Sequence, residues 1–232
     1  MIQFGFDNHT IGPVILRLYY YLKLTCISFL ASYYYEQHIS ILSGYVWMKD
    51  DCYSFGSISD DTNHMAEAAW TAIQQLLNQL KTDSTKNIKR LNFISDSVLS
   101  QFRNKTIFYF LKQYAITNQM TVKWIYTESG HGKGIADAVG AVIKRSMDQI
   151  IALHPDEAYG NALDLIGAIG NNTNIKLFSH TKDDIDSLKK SIPSLGVVKG
   201  TASLHEVTAK FDGKVYGKET SYGAEQLLKL NF

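Results

Sequence analysis

Asp96 and Asp137 are the two residues whose types and settings point most directly to chemistry. Asp96 closes a short apolar run, Leu91-Asn92-Phe93-Ile94-Ser95-Asp96, that suits a strand. Asp137 lies in the first turn of an amphipathic stretch starting at Ile135, directly behind Ser129-Gly130-His131-Gly132-Lys133-Gly134, and a second strand-like run over 121–126 leads into that glycine loop. In an open sheet with parallel strands, ligands sit in the crevice at the carboxyl ends of the strands. An acid at a strand end and an acid opening the helix behind the next strand are therefore placed to converge. Converging carboxylates repel unless a cation lies between them, and Mg²⁺ or Mn²⁺ shared with substrate phosphate is the usual answer. That chemistry is phosphoryl transfer. The same residues also fit a plainer account, a solvated strand-end acid and a first-turn acid favoured by the helix dipole.

Cations surround the pair. Gln101, Arg103 and Lys105 follow the first acid, and Lys133 and Lys144 flank the second. Arg offers a bidentate fork to a phosphate and Lys a point charge, whereas a solvated helix face explains the 101–105 residues equally well. Between 86 and 148 there are ten Lys or Arg against four acids, a local excess of six that suits a phosphate backbone. The glycine loop is not a nucleotide P-loop. That motif needs Gly-x-x-x-x-Gly-Lys followed by Ser or Thr, and here Gly134 follows Lys133. Backbone N–H groups at the start of the helix still favour an anion, such as a nucleic-acid phosphate. His131, with an ordinary pKa near neutrality, can orient a water or a leaving group, or serve only as a hydrogen-bonding loop residue.

The elements that must hold these groups are legible from periodicity. Alternation over 37–48 and 52–59, joined by Lys49-Asp50-Asp51, predicts a hairpin. Asp60-Asp61-Thr62-Asn63 follows as a run of helix-capping residues, with Asp60 or Asp61 as an alternative metal ligand. Ala66, Trp70, Ile73, Leu77 and Leu80 share one face of a helix over 62–81. Ser97 is expected to open the next helix. The helix from Ile135 carries Val139, Val142, Ile143 and Met147 inward and leaves Asp137 off that stripe. After 154 come a helix over 156–169, a strand over 175–178, a helix over 182–191, and short strands over 197–200, 203–211 and 214–216, with Asp212-Gly213 as a hairpin turn.

Composition excludes several classes. At 232 residues with 45% hydrophobic and 19% charged side chains, the chain is globular and can bury a proper core. The two cysteines, Cys26 and Cys52, make no disulfide framework, so an intracellular setting is expected. The stretch over 11–35 is rich in Leu, Ile and Tyr, but Arg17 and Lys23 interrupt it and no membrane span is expected. We expect residues 1–35 to be a degenerate segment, altered by a frameshift or a mispredicted gene start, that packs poorly or as a hydrophobic helix.

As a set, Phe93-Ile94-Ser95-Asp96, Ser100 to Lys105, Trp124, Ser129 to Gly140 and Lys144-Arg145 resemble the core of transposon-derived proteins related to DDE-type, Mutator-like transposases. The likeness extends over about 34–147, including Ser59 to His64 upstream, and loosens afterwards. It implies a ribonuclease H-like α/β fold, a mixed sheet flanked by helices, over 36–153, with a small α/β extension over 154–232. It also implies metal-dependent cleavage and strand transfer of DNA, with Asp96 as the second and Asp137 as the third acid of a catalytic set around Mg²⁺ or Mn²⁺, and a nuclear location. The first acid of that family opens a short Asp-Phe-Ala-Glu-Asn-Tyr-like run. The counterpart here is Phe4-Gly5-Phe6-Asp7-Asn8-His9-Thr10, where Asp7 matches the later Glu and not the catalytic position. Three readings follow: a DNA nuclease or strand transferase, a non-catalytic nucleic-acid-binding relic, and an α/β protein binding an anionic small molecule at Gly130 to Gly134.

Overall fold

The computed structural model describes residues 14–25, 36–48, 51–82, 88–127, 134–154, 156–157 and 159–232, with backbone alone for 14–25 and 36–38. The architecture is mixed α/β. β1 (Val14–Thr25), β2 (Glu36–Trp47) and β3 (Cys52–Ser59) form an antiparallel meander. α1 (Ala66–Thr82) then leads to β4 (Arg90–Asp96), α2 (Lys105–Thr117), β5 (Thr121–Thr127) and α3 (Ile135–Leu153). The remainder adds α4 (Ala162–Gly170), β6 (Lys176–Ser179), α5 (Lys182–Ser191), a 3-10 turn at Thr201–Ser203, β7 (Glu206–Ala209), β8 (Val215–Lys218) and β9 (Gln226–Leu227). All nine strands join one sheet in the order β6-β3-β2-β1-β4-β5-β7-β8-β9. β4 and β5 run parallel to β1, and β6 runs parallel to β3. Residues after 154 thus extend both edges of the sheet.

The expected hydrophobic helix at the amino end is corrected: residues 14–25 form β1, between β2 and β4. A continuous apolar run does not by itself distinguish a strand from a helix, and a strand with neighbours on both sides needs no polar alternation. β1 also carries one extra residue opposite β2, where the register steps from Tyr19↔Ile41 to Leu22↔Ile39. Two other boundaries move. The helix expected from Ser97 starts at Lys105, because Asn104 caps it by accepting the N–H groups of Thr106 and Ile107 at 3.0 and 3.1 Å. The helix expected over 156–169 starts at Ala162, behind the cap Asn161. Residues 197–200 form no strand.

Two apolar cores lie on opposite faces of the sheet. On one face, α1 and α2 pack Trp70, Ile73, Leu76, Leu77, Phe108 and Leu111 against Phe55, Phe93, Val122 and Trp124. On the other, Val139, Ile143 and Met147 of α3 and Leu165 and Ile169 of α4 cover Ile39, Ile41 and Ile58. The α3 contact is close: a Cβ built on Gly56 would lie 2.4 Å from Cδ1 of Ile143, which is itself buried. No described helix is long and apolar enough to cross a membrane.

Asp60 fastens α4 to the end of β3. Its carboxylate accepts the Ala162 N–H at 2.8 Å across 102 residues of sequence, so it caps α4, while Asp61 accepts the Asn63 N–H at 2.7 Å in a local turn before α1. Gly56→Ala should destabilise the protein by about 1–3 kcal/mol through overpacking against Ile143. Adding Ile143→Val, which removes the opposing methyl, should recover most of that loss in urea denaturation. Asp60→Ala should cost about 1 kcal/mol in the same assay.

Candidate functional site

The carboxyl end of β4 is held by a chain of hydrogen bonds that starts in the core. The Trp124 indole N–H donates to Ser95 Oγ at 2.8 Å, the Ser95 hydroxyl donates to the Asp96 carbonyl at 2.8 Å, and the Thr127 hydroxyl donates to the Ser95 carbonyl at 3.1 Å. Trp124 is fully buried and Ser95 nearly so. Side chains alternate along a strand. With Phe93 and Ser95 on the α1/α2 side, Asp96 stands half-buried on the α3 side.

α3 reaches the same face. Ser43 of β2 donates its hydroxyl to the Ala136 carbonyl at 2.9 Å, which fixes the first turn of α3 over that point of the sheet. Asp137, the next residue, turns back on its own helix: its carboxylate accepts the Gly134 N–H at 3.1 Å. The helix-dipole account of Asp137 is thus part of the structure.

The register shows what lies between the two acids. Arg17 of β1 pairs with Ser43, and Leu16 pairs with both Gly44 and Ser95. One further step along the parallel β1–β4 ladder places Arg17 beside Asp96, which in turn pairs with Thr127. Ser43, Arg17, Asp96 and Thr127 therefore form one row across the sheet. Neighbouring strands are about 4.8 Å apart, so the backbone positions of Ser43 and Asp96 are separated by roughly 10 Å. The β1 position in the row of Ser43 and Asp96 is an arginine.

β1, with the sequence Val-Ile-Leu-Arg-Leu-Tyr-Tyr-Tyr-Leu-Lys-Leu-Thr, contains no acid. Among the described residues no three His, Cys, Asp or Glu side chains come together to hold a metal ion. Asp7, His131, Lys133 and the glycines 130 and 132 lie outside the described residues.

Two of the cations expected to take phosphate, Arg103 and Lys105, have other partners. Gln101 is buried. The Arg103 guanidinium donates to the Leu204 carbonyl at 3.2 Å and lies 5.8 Å from the Tyr126 ring, and the Tyr126 hydroxyl donates to the Phe102 carbonyl at 2.9 Å. Lys105 donates to the Leu195 carbonyl at 2.9 Å. These residues join α2 and its approach to the segment after α5. Lys144 is half-buried on α3, and burial lowers its pKa against the opposing pull of Asp148.

Two arrangements were not legible in advance. Glu206 on β7 is nearly buried on the Asp96 face of the sheet, where it pairs with Lys123 at 2.8 Å and Lys218 at 3.7 Å. Cross-strand pairing on β5, β7 and β8 creates that cluster, and sequence spacing does not report it. His180, just beyond β6, meets Ser57 of β3, a contact that depends on an edge pairing between segments more than a hundred residues apart.

Strand order and the helices on both faces of the sheet define a mixed α/β protein. Residues 26–221 match a family described as Domain of unknown function (DUF8701), and the chain belongs to that family. No curated protein matches it.

Asp137→Ala should lower stability by roughly 0.5–1 kcal/mol, the value of an acid in the first turn of a helix. The loss should be the same with and without Mg²⁺ in thermal denaturation. A loss that grows when Mg²⁺ is present would mean that the carboxylate serves an ion instead of its helix.

Proposed function

We propose that this chain is a transposase-derived, ribonuclease H-like domain that keeps the fold of a polynucleotide-cutting enzyme without its metal-dependent chemistry, and that it acts on nucleic acid by binding. Two features support the fold part of the reading. The five strands β3-β2-β1-β4-β5 comprise an antiparallel meander followed by two strands parallel to the first, and helices pack on both faces. Asp96 at the end of β4 and Asp137 at the start of α3 occupy the places that the sequence resemblance implies for the second and third acids.

One observation carries the loss of chemistry: no residue of β1, the strand beside β4, is acidic, and the position one step beyond the Leu16–Ser95 pair is Arg17. In a metal-assisted displacement, carboxylates concentrate divalent cations that activate the attacking oxygen and stabilise the leaving one. The excess of six basic residues between 86 and 148 favours a phosphate backbone. A DNA partner would place the protein in the nucleus.

Purified protein incubated with supercoiled plasmid in Mg²⁺ or Mn²⁺ should leave the plasmid intact. Nicking that disappears in Asp96→Asn would overturn the loss of chemistry. Binding to a DNA duplex should weaken steeply between low and physiological salt, because phosphate contacts release counterions. Binding that is absent at low salt, or indifferent to salt, removes nucleic acid as the partner.

A further inference from the structure

At the far edge of the sheet, a buried imidazole just beyond β6 joins that edge strand to the meander. His180 is 7% exposed, and its Nδ1 lies 2.9 Å from Oγ of Ser57, which is 1% exposed. The His180 N–H also donates to the Ile58 carbonyl at 3.3 Å, and the Gln75 side chain of α1 donates to the Ser179 carbonyl at 2.7 Å. Residues 176–191 are also held by a four-residue parallel ladder to β3, by Lys176 over the Tyr53 ring at 3.6 Å, and by apolar packing in which Ile185 of α5 is buried and Leu177, Phe178 and Leu188 lie against the two cores. So short a ladder leaves much of the hold on this edge to side-chain contacts, and the Ser57–His180 pair is the buried polar one among those described.

We propose that the Ser57–His180 pair is an acid-sensitive latch. With the ring neutral it fastens β6 and α5 to the edge of β3, and protonation of the ring releases that unit while the rest of the sheet stays folded. A ring enclosed by protein loses the water that would stabilise its charged form. The carboxylates acting on it are Asp184 from α5 and Asp61 from the loop between β3 and α1. β3 contributes the neutral Ser57 hydroxyl, and α1 contributes the Gln75 amide on the adjoining residue. Burial outweighs both acids and brings the His180 pKa down to about 4. The released unit therefore binds more protons than the docked one between the ordinary histidine pKa of about 6.5 and about 4. The latch is fully closed above that window and weakens as the pH falls through it, by roughly two orders of magnitude in the docking equilibrium. The buried members of both apolar cores lie outside 176–191, which adds only the partly buried Leu177, Phe178 and Leu188 at their margins, so the release is local.

Hydrogen exchange followed by mass spectrometry, corrected for the intrinsic pH dependence of exchange, tests the latch. Between about pH 7 and about pH 4.5, peptides covering 176–191 should lose at least ten-fold in protection while peptides covering β4 and β5 keep theirs. His180→Gln can still hydrogen-bond to Ser57 and cannot become charged, so it should keep 176–191 protected at both pH values. Loss of protection in 176–191 and β4 together overturns the proposal, as does an unchanged selective loss in His180→Gln. Should His180→Gln fail to fold, Ser57→Ala serves instead. It should loosen 176–191 by about ten-fold already at pH 7, and an unaltered protection pattern in that variant overturns the latch.

Discussion

β1 is hydrogen-bonded on both sides, antiparallel to β2 along most of its length and parallel to β4 through Val14, Ile15 and Leu16. The meander and the parallel half of the sheet meet on this one strand. Because side chains alternate with a period of two, a slip of one residue would exchange the two faces of β1. The register therefore decides which β1 residue shares a row with Ser43 and Asp96. The extra residue opposite β2 lies beyond Tyr19, after that row, so the alignment of Arg17 with Ser43 precedes the irregularity. The character of the candidate site is set by a backbone pairing before any side chain is considered.

Much of the positioning framework could be read from periodicity. The inward face of α1 appears as expected, with Ala66, Trp70, Ile73, Leu77 and Leu80 all buried. β3 and α5 have the expected limits. The Asp212-Gly213 turn has the left-handed glycine, at φ 82°, that such a hairpin requires. Local chemistry misled where distant partners decide. Ser97 has the composition of a helix start, but Asn104 supplies the cap that is used. Asp60 has the composition of a cap for the following helix, but it caps one a hundred residues later.

The site was legible in part for the same reason. Placing Asp96 at a strand end and Asp137 in a first helical turn needs only neighbouring residues, and both positions are as expected. Which face each acid takes, and what stands between them, depends on cross-strand register that no local pattern encodes. Arg103 and Lys105 illustrate the same limit from the other side. Their charge suits phosphate, yet the fold gives them backbone carbonyls of a segment some ninety to a hundred residues downstream.

α2 and its approach bear three such tethers, because Lys112 also donates to the Phe232 carbonyl at 2.6 Å and lies 5.5 Å from the Phe232 ring. All three reach forward to residues beyond α5. During synthesis, β4, α2 and β5 leave the ribosome well before Leu195, Leu204 or Phe232 has been joined to the chain. The outer flank of β5 then has no β7 to pair with, and α2 carries cations without their acceptors. An exposed strand flank of this kind is where nascent chains associate wrongly. The interval between the emergence of β5 and of β7 thus leaves this strand flank open to wrong pairing.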